Sequence, residues 1–135
     1  MYPKMYPEAA YQIDSLIEMS DSFLGKMNFE YVFKGPVSEE KAKELCSGPW
    51  RDLLCNIDEQ LAQNSNPNFL VGNSMTTADV SLGAFPLKHV DNVNHPHRQI
   101  YAMELRKFPR VNNWASNTIA PAFSLWFKSE PIAPA

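Results

Sequence analysis

Residues 76–87, TTADVSLGAFPL, restrict what this chain can fold into more than any other stretch. Ala78, Val80, Leu82, Ala84, Phe85 and Leu87 are apolar, and no charge intervenes between Asp79 and Lys88. At 3.6 residues per turn these side chains spread around the whole circumference of a helix. A helix that is apolar on all sides needs neighbours on all sides, so it must be the centre of a bundle. Its start is marked as well. The first four N–H groups of a helix lack intrahelical partners. In Thr76-Thr77-Ala78-Asp79 the Thr76 hydroxyl can accept the N–H three residues on, while the Asp79 carboxylate reaches back to the N–H of Thr76. The carboxylate also sits at the positive end of the helix dipole. Met75 and Val80 occupy the two positions of a hydrophobic staple. Pro86 should bend this helix.

The remaining elements are read outward from that centre. Between residues 7 and 27, Ala9, Ala10, Ile13, Leu16, Ile17, Ser20, Phe23, Leu24 and Met27 follow the i, i+3, i+4 stripe of an amphipathic helix, with Pro7 suited to its first turn. Residues 29–33 alternate apolar and polar, but five residues with no partner strand elsewhere read as a loop, ending at Gly35-Pro36. Ser38 caps a helix through Leu45, with Glu39 and Glu40 in its first turn and a solvated, charged face. Ser47-Gly48-Pro49 calls for a kink or a fresh start, after which Leu53, Leu54, Ile57 and Leu61 restore the stripe. AQNSNPN is a polar loop. Further helices are expected over residues 98–107 and 109–119, with a last short one from Pro121 and a flexible tail over residues 131–135. The fold class is all-α: one domain over residues 1–130, six or seven helices around one buried helix.

Composition excludes several functions. A net charge of −3 without a Lys/Arg cluster gives no footprint for nucleic acid. No run of about 18 apolar residues is present, so no membrane span is expected. MYPKMYPEAA lacks the basic and apolar regions of a secretion signal. Cys46 and Cys55 are nine residues apart. On one helix that spacing turns about 900° and rises roughly 13 Å, which puts the thiols on opposite sides. They are read as reduced, buried or half-buried thiols of a cytoplasmic protein. His95-Pro96-His97 with Asp91 has metal-ligand residue types, but the intervening proline restricts convergence and no Cys is near; a solvated loop without metal is the reading. No dinucleotide fingerprint, phosphate-binding loop or nucleophile elbow occurs.

NPNFLVGNSMTTADVSLGAF resembles the signature of the C-terminal, all-helical domain of glutathione transferases, in which an apolar pair and a Gly precede a Thr-x-x-Asp box that opens the central helix. MYPKMYPEAAYQIDSLIEM is similar to that family's linker and first helix of the domain. KFPRVNNWASNTIAPAF resembles its late segment, with Phe108, Pro109, Val111, Trp114, Pro121 and Phe123 at matching positions. The resemblance implies a glutathione-transferase C-terminal-like helical bundle, with Thr76 and Asp79 as a structural capping box. It also implies that the catalytic residues belong to a thioredoxin-like domain, and the chain begins where that domain would end. This chain alone is therefore expected to be non-catalytic. Glutathione would be a ligand only if such a domain were supplied, and no other cofactor or metal is expected. By position, Tyr11, Ser15 and Met19 would line a hydrophobic co-substrate wall that Phe123 and Trp126 would close.

Two functions follow from the resemblance. One is a stand-alone interaction module, as in the gamma subunit of translation elongation factor 1 and the appended domains of some aminoacyl-tRNA synthetases. The other is the helical half of a glutathione transferase. In the first, a protein partner or a second copy would bind through the first helix, because the stripe Ile13, Leu16, Ile17, Ser20, Leu24 is not expected to turn inward entirely.

Overall fold

The computed structural model describes residues 7–29, 37–93 and 95–123, and these are all helix, turn and loop, without strand. The α-helices are α1 Pro7–Asn28, α2 Glu39–Leu45, α3 Arg51–Gln63, α4 Thr77–Pro86, α5 Arg98–Leu105 and α6 Pro109–Trp114. Wide π-helical turns at Cys46–Trp50, Leu87–Asp91 and Ala115–Ile119 join or extend them. The chain thus forms five continuous rods among the described residues, fewer than the six or seven anticipated. Proline explains two of these turns. Pro49 lies within the first and Pro86 immediately before the second, and each lacks the N–H of one helical rung, so the helix widens there rather than stopping. The loop anticipated over residues 29–33, the last short helix from Pro121 and the tail over residues 131–135 fall, in whole or in part, outside the described residues.

Helix α4 occupies the centre. Ala78, Asp79, Leu82, Gly83, Phe85 and Pro86 are buried, Val80 and Ser81 are half-buried, and Ala84 alone of this run is exposed. Helix α1 lies alongside it in the same direction: the Ser20 hydroxyl donates to Ser81 O (3.3 Å), and the Phe23 ring meets Phe85 edge-on at 4.7 Å. On another side the Ala115–Ile119 turn comes so near that a Cβ on Gly83 would lie 2.7 Å from Ile119. Glycine at this helix-interior position is therefore a packing requirement, set by Ile119. Helix α3 contributes Leu53, Leu54, Ile57 and Leu61, all buried, as its stripe required. Trp50 stands between α3 and α5, with its indole N–H donating to Tyr101 O (3.3 Å). Nearby, Arg51 Nε meets Glu104 Oε1 at 2.6 Å and Lys107 Nζ meets Oε2 at 3.0 Å, which holds the Glu104 carboxyl below its usual range chiefly through the Arg51 hydrogen bond.

The apolar stripe of α1 turns inward over most of its length. Ile13, Leu16, Ser20, Phe23 and Met27 are buried and Ile17 is half-buried, which leaves only Leu24 of the stripe exposed. The reason is the uniformly apolar α4, which offers a surface along its length for α1 to cover.

The polar loop between α3 and α4 is fixed by side chains that bind its backbone. Asn64 Nδ2 lies 2.8 Å from the carbonyls of Asn66, Phe69 and Gly72, Gln60 donates to Leu70 O (2.9 Å), and the Thr118 hydroxyl donates to Asn68 O (2.8 Å). Gly72 has φ +70°, the left-handed region that glycine enters without strain. These contacts deliver Leu70 and Val71 into the core.

The capping box at Thr76 is present and has a wider reach than its local pattern implies. Asp79 Oδ2 accepts from Thr76 N (2.9 Å) and from the Thr76 hydroxyl (3.3 Å). Its Oδ1 accepts from Leu70 N (3.0 Å) and from the Trp114 indole N–H (3.0 Å). Asp79 is completely buried, so its loss would leave the Leu70 and Trp114 donors unpaired in the interior. Asp79→Ala should cost about 2–4 kcal/mol, more than a peripheral cap. Urea unfolding of the variant beside the parent measures this, and a loss under about 0.5 kcal/mol would show the network to be dispensable.

Candidate functional site

An open groove of about 410 Å3 lies between the second half of α1 and the start of α3. Met19, Ser22, Phe23 and Lys26 form one side; Pro49, Asp52, Leu53, Cys55 and Asn56 form the other. Phe23 and Leu53 belong to the buried core and make an apolar floor. Lys26, Asp52, Cys55 and Asn56 are exposed and give the rim polar character of both charges. Pro49, within the wide turn that leads into α3, stands at the edge of the groove.

Of the residues singled out from sequence, Met19 lines the groove. Ser15 and Tyr11 stand one and two turns before it on the same face of α1, at spacings of four, and both are exposed, Tyr11 at 74%. Phe123 is half-buried, packs against the core and is not among the groove residues. Trp126 lies outside the described residues. Thr76 and Asp79 are buried in the capping network, away from the groove lining. Ser22 and Lys26 were missed, although they continue the strip Tyr11, Ser15, Met19 at spacings of three and four. The α3 side carried no such signal, because Asp52, Cys55 and Asn56 look like ordinary exposed neighbours of a core stripe.

The two thiols differ more than their spacing alone suggested. Cys46 is buried, and burial, with Glu104 nearby, pushes its thiol up to about 12. Cys55 is exposed on the groove rim, contrary to the buried or half-buried state anticipated for both. Its place on α3, beyond the Pro49 turn, faces it outward. Native protein should therefore react with a thiol-specific disulfide reagent at one cysteine, and the second should react only on unfolding. Two equally fast thiols, or labelling at Cys46 first, would contradict this geometry.

A second polar arrangement lies at the far end of α4. His89 and His95 are buried, each 2% exposed, so of the solvated loop anticipated for residues 95–97 only Pro96 is exposed, and the turn after Asn92 folds His95 back onto His89. His89 Nδ1 and His95 Nε2 are 3.0 Å apart. His95 Nδ1 accepts from the backbone N–H of His97 (3.2 Å), so in the neutral ring the proton is on Nε2 and is donated to His89 Nδ1. His97 Nε2 faces Val37 O at 2.7 Å and must be the donor there, since a carbonyl only accepts. A metal-bound histidine donates its second ring nitrogen to a neighbour, whereas His95 accepts on its second nitrogen, so this geometry does not suit a metal. Tyr101 stacks on His89 at 4.9 Å, with Trp50 at 5.5 Å and Phe23 at 6.4 Å. Burial, with each ring's charged neighbours, lowers His89 to about 3 and His95 to about 4.

No family model, curated protein or solved structure matches the chain. Among the described residues no helix is long and apolar enough to cross a membrane.

Proposed function

We propose that this chain is a glutathione-transferase C-terminal-like helical domain that works as a protein-assembly module, with the α1 strip and the adjoining groove as its contact surface. The observation that carries this reading is the continuity of Tyr11, Ser15 and Met19 with a groove that has an apolar floor and a rim of both charges. Tyrosine on a rigid helix face supplies contact area at small entropic cost, methionine adapts its shape to a partner, and a neighbouring concavity can seat an anchoring side chain. The inward turn of Ile13, Leu16 and Ser20 moves the contact from the apolar stripe to this strip. Burying apolar area there contributes about 25 cal/mol per Å2, less the cost of association.

Sedimentation velocity tests the self-association that this reading includes. Tyr11→Asp and Ser22→Arg should leave unfolding within about 0.5 kcal/mol of the parent, since both alter exposed positions. Each should weaken association by about tenfold or more if the strip is central to the contact. A parent chain that remains a 15.3 kDa monomer at every concentration, unaffected by either substitution, would remove homo-association through α1.

The second reading is the helical half of a glutathione transferase. It draws on the same strip, because Tyr11, Ser15 and Met19 are the positions that the resemblance assigns to a co-substrate wall. Under both readings the purified chain should conjugate glutathione to an electrophilic aromatic substrate no faster than solution does. Conjugation above that rate would overturn the assignment of catalysis to another domain.

A further inference from the structure

The hydrogen bonds at the end of α4 form a directional chain. His97 N–H donates to His95 Nδ1, His95 Nε2–H donates to His89 Nδ1, and His97 Nε2–H donates to Val37 O, 60 residues away in sequence. Both acceptor nitrogens between the two buried rings are in use. A proton added to His95 Nδ1 faces the His97 N–H, and one added to His89 Nδ1 faces the His95 N–H. If His95 shifts its own proton to Nδ1 to accommodate His89, the conflict moves to His97. A single extra proton at either acceptor therefore sets two donors against each other somewhere along the chain.

We propose that the His89–His95–His97 chain is an acid-released latch, which at neutral pH holds the turn between α4 and α5 against the segment leading into α2 and lets it go when the buried pair takes up a proton. The surrounding groups oppose that proton while the latch is closed. Lys88 is on the same turn as His89 and acts on both rings, and His97 acts on His95. Tyr101 of α5 stacks on His89, while Phe23 of α1 and Trp50 of the turn before α3 face it with uncharged rings. Asp91 and Arg98 lie next in line and act on each other, and the Arg98 guanidinium is held by Val90 O (3.0 Å). The sign follows from these positions. Both rings bind protons more weakly folded than in an open turn, so the closed state is fully favoured above the ordinary histidine value of about 6.5 and loses ground as pH falls toward 4.

The release is local because the latch residues lie in a short stretch. Besides the histidine contacts, the bonds of the turn include His95 N to Asn92 O (3.1 Å), Arg98 N to His95 O (3.3 Å) and Arg98 Nε to Val90 O (3.0 Å), and both Val93 and Pro96 are exposed. The Asp79 network at the other end of α4 contains none of these groups. Its Trp114 indole N–H reports on the core, and the Trp50 indole N–H reports on the cluster beneath His89.

The test is amide and indole hydrogen exchange of the full chain followed by NMR, together with the ring nitrogen shifts of the histidines. At about pH 7 the shifts should show His95 protonated on Nε2 and His89 accepting on Nδ1. Between about pH 7 and pH 5.5 the protection factors of the His95, His97 and Trp50 indole N–H groups should fall about tenfold or more, while that of the Trp114 indole holds. In the His89→Asn, His95→Gln double variant that differential loss should disappear. The opposite tautomers, a parallel fall at Trp50 and Trp114, or a loss that persists without the two rings would each overturn the latch. The parent protein alone supplies the first two readouts, so the proposal remains falsifiable even if the variant fails to fold.

Discussion

The fold depends on a buried carboxylate that has enough donors. Asp79 is an acceptor-only group in the interior, and desolvating it is costly unless its oxygens are occupied. Four donors from three places occupy them: Thr76 at the start of α4, Leu70 in the preceding loop and Trp114 in α6. Each bond closes part of the topology. The bonds to Thr76 fix the first turn of the central helix. The bond to Leu70 brings the loop back under that turn, which buries Leu70 and Val71. The bond to Trp114 sets α6 beside α4 and, five residues later, brings Ile119 onto Gly83.

From that anchor the packing follows by size. Ile119 comes so close that glycine is needed opposite it, and α1 can cover another side of α4 because nothing on that side is charged. The large rings fill the space toward the other end, where Trp50, Tyr101 and Phe23 surround His89 and Phe85 meets Phe23. Proline has a consistent role. Pro49 and Pro86 each remove a rung, and the chain responds with a widened turn that keeps the rod continuous while changing the direction of its side chains. The groove between α1 and α3 has one such turn at its edge, through Pro49.

This explains what was legible in the sequence. The central helix, its capping box, the stripes of α1 and α3 and the cap at Ser38 were readable, because each is set by residues within a few positions of one another. The Ser38 hydroxyl does accept from Lys41 N (3.1 Å). The bonds from Leu70 and Trp114 to Asp79 span 9 and 35 residues, and no local pattern encodes them. The same distinction divides the candidate site. Tyr11, Ser15 and Met19 were named through the family resemblance, and Asp52, Cys55 and Asn56 join that strip only through packing. His95 was misread for a related reason. Beside a proline and amid polar residues it looks solvated, and only the turn that folds it onto His89 buries it.

The two ends of α4 are therefore anchored in different ways. At the start, one carboxylate accepts from donors in three segments, and every bond there points toward it. At the end, the anchor is a relay in which His95 is donor and acceptor at once, so the bonds on its two sides depend on a single proton arrangement. A carboxylate hub tolerates small changes at one donor while the other three remain. A relay does not, because reversing one bond reverses or breaks the next. Most of the relay also lies within one short turn, whereas the hub is tied to the loop and to α6. The asymmetry makes the start of α4 the place where the fold is fixed and its end the place where a part of it can open.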